Sequence, residues 1–305
     1  MKKVKLTLFS FPLILGILLI ACQSKTDPVE ITVSHRPDHV VIVVEENQGF
    51  GNIIGSENAP YINQLAMKSA LFTDAHGVIH PSQPNYLALF SGDMQGVTDD
   101  HCLTKESPFI TPNLAASLMM KGLTFKGYAQ TMPSAGYLGC SYQISDLTQG
   151  ALYARKHTPW VNWIGNGQNN IPDSISLPMS EFPTDFNKLP TLSFVIPDQD
   201  YDMHNIAVLG SSSAIKRGDE WLEKNIDPYV QWAETHNSLL ILTFDEDDFK
   251  NENHIVTLFF GPMIKAGNYS ERVDHYDVFQ TIADLFKLPL QGTNLGKVIE
   301  NIWNK

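Results

Sequence analysis

Three apolar runs in this 305-residue chain each stop at a cluster of carboxylates. His39–Val44 (HVVIVV) leads into Glu45-Glu46-Asn47, and Leu239–Phe244 (LLILTF) into Asp245-Glu246-Asp247-Asp248. Leu192–Ile196 (LSFVI) leads into Pro197–His204, which holds Asp198, Asp200 and Asp202. Runs this apolar, without alternation, suit strands covered on both faces. The LLILTF run is read as a strand over Ser238–Thr243, and further strands are expected at Thr124–Tyr128 and Ile255–Gly261. Helical patterns lie between them. Asn58–Lys68 has Pro60 for its first turn, and Tyr86–Ser91 follows Pro84. Thr111–Lys121 has Thr111 as N-cap, Pro112 at the first position and Gly122 past its end. Gly218–Glu234 and Tyr276–Phe286 complete the set, the latter with Val278, Ile282 and Leu285 on one side. Alternating strands and helices predict an α/β fold, a mostly parallel sheet covered by helices on both faces. In such sheets ligands bind at the carboxyl ends of the strands, where the acidic clusters fall.

Carboxylates converging on one rim repel each other strongly at low dielectric. Bound divalent metal is the usual resolution, because Asp, Glu, Asn and His all donate oxygen or nitrogen. A fourth element, His80-Pro81-Ser82-Gln83-Pro84-Asn85-Tyr86, is a turn entering a helix. Serine there is an ordinary cap, or a nucleophile at the positive end of a helix that also favours phosphate. A serine hydroxyl needs activation. The chain has no Gly-x-Ser-x-Gly elbow, so metal coordination is the remaining activator. The long polar stretch Met132–Leu189 is placed to cover a site or carry substrate contacts.

These motifs, with Tyr153-Ala-Arg-Lys-His157, Asp202-Met-His204, Gly218-Asp-Glu-Trp-Leu222, His275-Tyr276 and Thr281-Ile282-Ala283-Asp284, resemble the phosphoesterase family of bacterial acid phosphatases and phospholipases C. The resemblance runs from about His39 to Pro289. It implies the three-layer α/β/α sandwich of the alkaline phosphatase superfamily. It also implies hydrolysis of phosphoric esters through a phosphoserine on Ser82, with one or two divalent ions. Glu46, Asp245 and Glu246 would be metal ligands, with Asn47 a ligand or phosphate contact, and Asn85 would hold a phosphoryl oxygen. Asp202 and His204, with His254 as a further candidate, would serve a second metal. Lys156 and His157 would bind phosphate or protonate the leaving group, unless they form a plain surface pair. His275 is either a site residue or a helix cap.

Other branches of the superfamily have aspartate in place of Glu46 and an Asp-His pair in place of Asp245-Glu246. The carboxylate-rich set leaves zinc, magnesium, calcium, manganese and iron open. Ser82-Gln-Pro-Asn-Tyr86 lacks the arginine of a sulfatase Cys/Ser-x-Pro-x-Arg motif. The expected substrate is a small phosphomonoester. A phospholipase C or other diesterase is the alternative, and a surface-binding protein without catalysis the remaining one.

Lys2, Lys3 and Lys5 precede an apolar run from Leu6 to Ala21, the pattern of a signal peptide. Leu19-Ile20-Ala21-Cys22 looks like a bacterial lipoprotein site. Residues 1–21 would be removed, 22–37 would form a lipidated Cys22 and tether, and 38–305 a single phosphoesterase domain. The expectation is an exported protein held to the membrane by its N-terminal lipid, periplasmic or at the cell surface. Cys102 and Cys140 would then pair as a disulfide. The formal charge of -12 argues against a nucleic-acid partner, which needs clustered Lys and Arg.

Overall fold

The computed structural model describes residues 36–204, 210–289 and 296–304, besides Met1. The signal peptide, Cys22 and most of the tether lie outside the described residues. In chain order the strands are β1 (His39–Glu45), β2 (Ala70–His76), β3 (Phe125–Ala129), β4 (Ser141–Ile144), β5 (Ala151–Ala154), β6 (Ser176–Pro178), β7 (Leu192–Ile196), β8 (Ser238–Phe244), β9 (His254–Phe260), β10 (Gly267–Tyr269) and β11 (Val273–Asp274). The helices are α1 (Phe50–Ile53), α2 (Pro60–Met67), α3 (Ser82–Ser91), α4 (Leu114–Met120), α5 (Ser211–Asn225), α6 (Asp227–Ala233) and α7 (His275–Leu285).

Among the described residues the main sheet runs β10-β2-β9-β8-β1-β7-β3-β6, with β11 also on β2. Its centre, β8-β1-β7-β3, is parallel, and β9 alone runs against its neighbours β8 and β2. Val40 to Val44 are buried, as every residue of β7 and β8 is, which is why these runs carry no polar alternation. Helix α3 packs on α7, while α2 packs on α5 and α5 on α6. The architecture is the three-layer α/β/α sandwich. In the β1–β8 register Glu45 pairs with Phe244, so both acidic clusters leave the sheet at one rim. The peptide N–H of Asp245 donates to Glu45 O, and that of Glu46 to Asp202 O, which draws the β7 loop to the same place.

Several local expectations change. The cap of α4 is Asn113, whose side chain accepts from Ala116 N at 2.8 Å; the Thr111 hydroxyl instead bonds Gln95. The helix expected over 218–234 begins at Ser211 and breaks into α5 and α6, because Pro228 has no N–H with which to continue α5. Strand β2 was hidden by Thr73 and Asp74, which fall at the irregularity between Phe72 and Ala75. The polar stretch 132–189 is folded around large aromatics. Trp160 and Trp163 are fully buried, their indole N–H groups donating to Ser176 Oγ and Thr111 O. A Cys102–Cys140 disulfide ties this cover to the loop after α3.

Candidate active site

Ser82 is the first residue of α3 and is 1% exposed. Its Oγ lies 3.1 Å from Glu246 Oε1 and 3.3 Å from Glu46 Oε2. Asn47, at φ +48°, turns its N–H onto Asp245 Oδ1 (3.0 Å) and its amide onto Glu246 Oε1 (2.7 Å). Two strand ends and one helix start thus meet on the serine hydroxyl. Among the described residues the buried atoms Asn47 Oδ1 and Asp245 Oδ2 have no hydrogen-bond partner. An orphaned buried oxygen is costly. Both belong to the same donor set as Ser82 Oγ, and this all-oxygen chemistry fits a hard divalent cation.

A second group shares Glu46. Glu46, His157 and Asp202 each offer a donor atom within 4.8 Å of the others, and all three are buried. His157 Nε2 lies 3.1 Å from Glu46 Oε1, and His204 Nδ1 lies 3.8 Å from Glu46 Oε2. Asp202 Oδ1 accepts His204 N at 3.0 Å, and the buried Asp202 Oδ2 has no hydrogen-bond partner among the described residues. Tyr86 donates its hydroxyl to Glu46 Oε1 and stacks on His157 with ring centroids 5.2 Å apart. Tyr86 is the contact that sequence reasoning missed. Four residues after Ser82, it occupies the same helical face, which was the available signal.

Electrostatics reflects this crowding. Burial, with the charges of Asp202 and Glu246, pushes Glu46 up to about 8 against the pull of Lys156 and the Tyr86 bond. Burial, with the Asp245 and Asp198 charges, pushes Asp202 up to about 7. Asp245 is raised by burial and by Glu46 and Glu246. Burial, then the Lys156 charge, holds His157 well below its ordinary value, so it is a neutral imidazole. Buried carboxylates crowded around a neutral imidazole supply the oxygen and nitrogen donors that a divalent cation takes up.

Lys156 and His157 are not a surface pair. His157 is 2% exposed, and Lys156 Nζ is held at 2.7 Å by Asp100 Oδ2. Burial works against the Lys156 charge, but Glu46 and Asp100 more than offset it, and its pKa is raised. Asp100 Oδ1 accepts Gln83 N at 2.9 Å, so one carboxylate joins Lys156 to the first turn of the Ser82 helix.

Three expected site residues are placed differently. Asn85 has every amide atom committed to backbone: Oδ1 accepts Val78 N and Ile79 N, and Nδ2 donates to Ile79 O and Pro81 O. These bonds fix the turn that presents Ser82. His254 stacks between Phe50 (4.6 Å) and His76 (5.3 Å) and does not join the Asp202 group. His275 donates from Nε2 to Asp245 O at 2.7 Å and so supports the acidic segment through its backbone. His80 bridges Glu246 Oε2 (2.5 Å) and Asp247 Oδ1 (3.3 Å).

Residues 56–289 match the phosphoesterase family. The chain belongs to that family. It is accordingly a hydrolase acting on phosphoric esters. The chain is 42% identical over 269 residues to a phosphatidylinositol-3-phosphatase of Mycobacterium tuberculosis, covering 87% of this chain and 82% of that one. It is 29% identical to a phosphate-repressible acid phosphatase of Penicillium chrysogenum, covering 84% of this chain and 60% of the fungal one. A solved protein of the alkaline phosphatase superfamily from Vibrio parahaemolyticus shares the fold at TM-score 0.58 and 15% identity, over 87% of this chain and 71% of that one. A lipoteichoic acid synthase from Listeria monocytogenes shares it at TM-score 0.58 and 10% identity, over 90% of this chain and 78% of that one.

Proposed function

We propose that this phosphoesterase is a metal-dependent phosphomonoesterase that works through a phosphoserine on Ser82. The observation that carries the reading is Ser82 Oγ, set between Glu46 and Glu246 beside the orphaned oxygens of Asn47 and Asp245. Glu46, Asn47, Ser82, Asp245 and Glu246 would hold one divalent ion, and Glu46, Asp202 and His157, with His204 close by, a second. Such an ion supplies a lowered serine pKa and neutralises the carboxylates.

The remaining work belongs to the chain. Glu246 Oε1 receives the Ser82 hydroxyl and orients its oxygen for in-line attack on phosphorus. The N-terminus of the ten-residue α3 favours the charge gathered on the phosphoryl oxygens. Lys156, fixed by Asp100, adds a full positive charge facing Glu46 and Asp245. Asn85 keeps the nucleophile turn in shape. The serine oxygen bonds phosphorus as the phosphorus–alcohol bond breaks, and the proton Ser82 passes to Glu246 leaves on the departing alcohol. Water then attacks the phosphoserine, releasing phosphate and returning the hydroxyl of Ser82.

The monoester preference rests on the relatives, whose names are phosphatases, the mycobacterial one acting on the 3-phosphate of phosphatidylinositol. A lipid-bound monoester therefore falls within the proposed range, with phospholipase C activity as the alternative. Export and anchoring through Cys22 belong to the same reading. The Cys102–Cys140 disulfide supports it, since such bonds persist in oxidising compartments. Release of Cys22→Ala from the membrane fraction would bear the anchor out, and retention would refute it.

The direct test compares p-nitrophenyl phosphate with its bis-ester, with chelator and with added cations. Cation-dependent turnover of the monoester is expected. Turnover of the bis-ester alone would turn the reading to a diesterase, and full activity in chelator would remove the metal.

A further inference from the structure

Phe249 stands out in the loop that follows the β8 carboxylates. It is 70% exposed, yet its ring stacks on His80 at 3.9 Å with an interplanar angle of 20°. His80 contacts Glu246, and Glu246 contacts Ser82, so the ring is linked to the nucleophile by three successive contacts. The backbone of Phe249 is at φ +63°, a conformation a bulky residue adopts only when its surroundings impose it. Asp247 imposes it. Fully buried, its Oδ1 accepts Phe249 N at 2.7 Å, and its Oδ2 accepts Asn251 N at 2.8 Å and Asn253 N at 3.1 Å. Asn253 Oδ1 in turn accepts from Asp247 N, and its Nδ2 donates to Ile79 O, tying the loop to the turn before Ser82. A buried carboxylate thus holds a strained loop whose outward product is one aromatic face beside the reacting centre.

We propose that Phe249, backed by His80, is a leaving-group subsite that takes the aromatic or apolar alcohol portion of the phosphoric ester. The inference rests on the proposed phosphomonoesterase reading and specifies which part of the substrate that site selects. The occupant follows from continuity: the ring backs onto His80, which contacts Glu246 at the site built to hold the phosphoryl group, and what projects from that group is the ester alcohol. An anionic membrane surface fits less well, because the loop carries Asp248 paired with Lys250 and no basic excess.

The test compares phenyl phosphate with glycerol phosphate as substrates for the full chain, wild type beside F249A and F249W. In F249A the ratio of kcat/KM, phenyl over glycerol, falls about fivefold, the order of one aromatic pair, and the fall comes through KM. F249W restores it. Calorimetric binding of phenylphosphonate against inorganic phosphate reads the same preference without turnover. That measurement separates failure of the subsite from failure of the phosphatase reading, because a wild type that hydrolyses neither ester still reports the ratio. Equal losses on both substrates would reduce Phe249 to a support for His80 and overturn the proposal. An unchanged ratio in F249A would do the same, as would loss of binding to anionic vesicles with the ratio intact.

Discussion

The two donor groups that share Glu46 are built in different ways. The Ser82 side is made of oxygens delivered by the ends of β1 and β8 and the start of α3, elements locked by sheet register. The Asp202 side combines a loop after β7 with His157, from a short 3-10 turn over 155–157 in the cover stretch. Its remaining nitrogen, His204 Nδ1, lies 3.8 Å from Glu46 and belongs to a half-exposed side chain. On the proposed mechanism the rigid half suits the step that tolerates no misplacement, the approach of Ser82 to phosphorus. The loop-borne half suits adjustment to substrate.

Substitutions can break this contrast. Ser82→Ala is expected to lower kcat by about 10³-fold or more, with the fold intact by circular dichroism. Glu46→Gln should lower the rate comparably and reduce the cation content of both groups, measured by elemental analysis. Asp202→Asn should cost about 10- to 100-fold in rate and remove at most one bound cation. Equal losses from Asp202→Asn and Glu46→Gln in both readouts would erase the distinction. Asp100→Asn should raise KM about tenfold with a smaller change in kcat, as Lys156 loses its anchor but not its charge.

A pH series sharpens the same contrast. In the folded, metal-stripped protein Glu46 titrates near 8 and Asp202 near 7, above their ordinary values of 4.5 and 3.8. The folded state therefore holds these protons more tightly than the unfolded chain. The stability they contribute is complete below about pH 4 and is lost as pH rises toward about 8. With chelator, Tm should fall from about pH 5 to about pH 8, and a bound divalent cation should remove that fall. A flat chelated profile would show that these carboxyls ionise freely.

What was legible in the sequence follows the same division. Strands β1, β7 and β8 are dominated by buried apolar residues with no polar alternation, so their ends, and the clusters holding Glu46, Asn47, Asp245 and Glu246 with them, are readable in the sequence. Ser82 was readable as the start of α3. The cover was not, because Trp160, Trp163 and Tyr153 are buried by contacts far apart in the chain, within a stretch whose composition is that of a loop. Asn85 and Asp247 have the residue types of substrate or metal contacts, and only their hydrogen-bond partners show them holding turns. Lys156 and His157 were visible as a pair, but their burial depends on Asp100 and Tyr86, each brought in from elsewhere.

The central claim is that Ser82 carries the phosphoryl group. The most direct measurement is acid-quenched turnover followed by peptide mass spectrometry of the segment holding Ser82. A phosphoryl adduct is expected on Ser82 that appears with substrate, decays on its exhaustion and is absent from Ser82→Ala. Turnover by Ser82→Ala at the wild-type rate, with no adduct on the wild-type peptide, would contradict it.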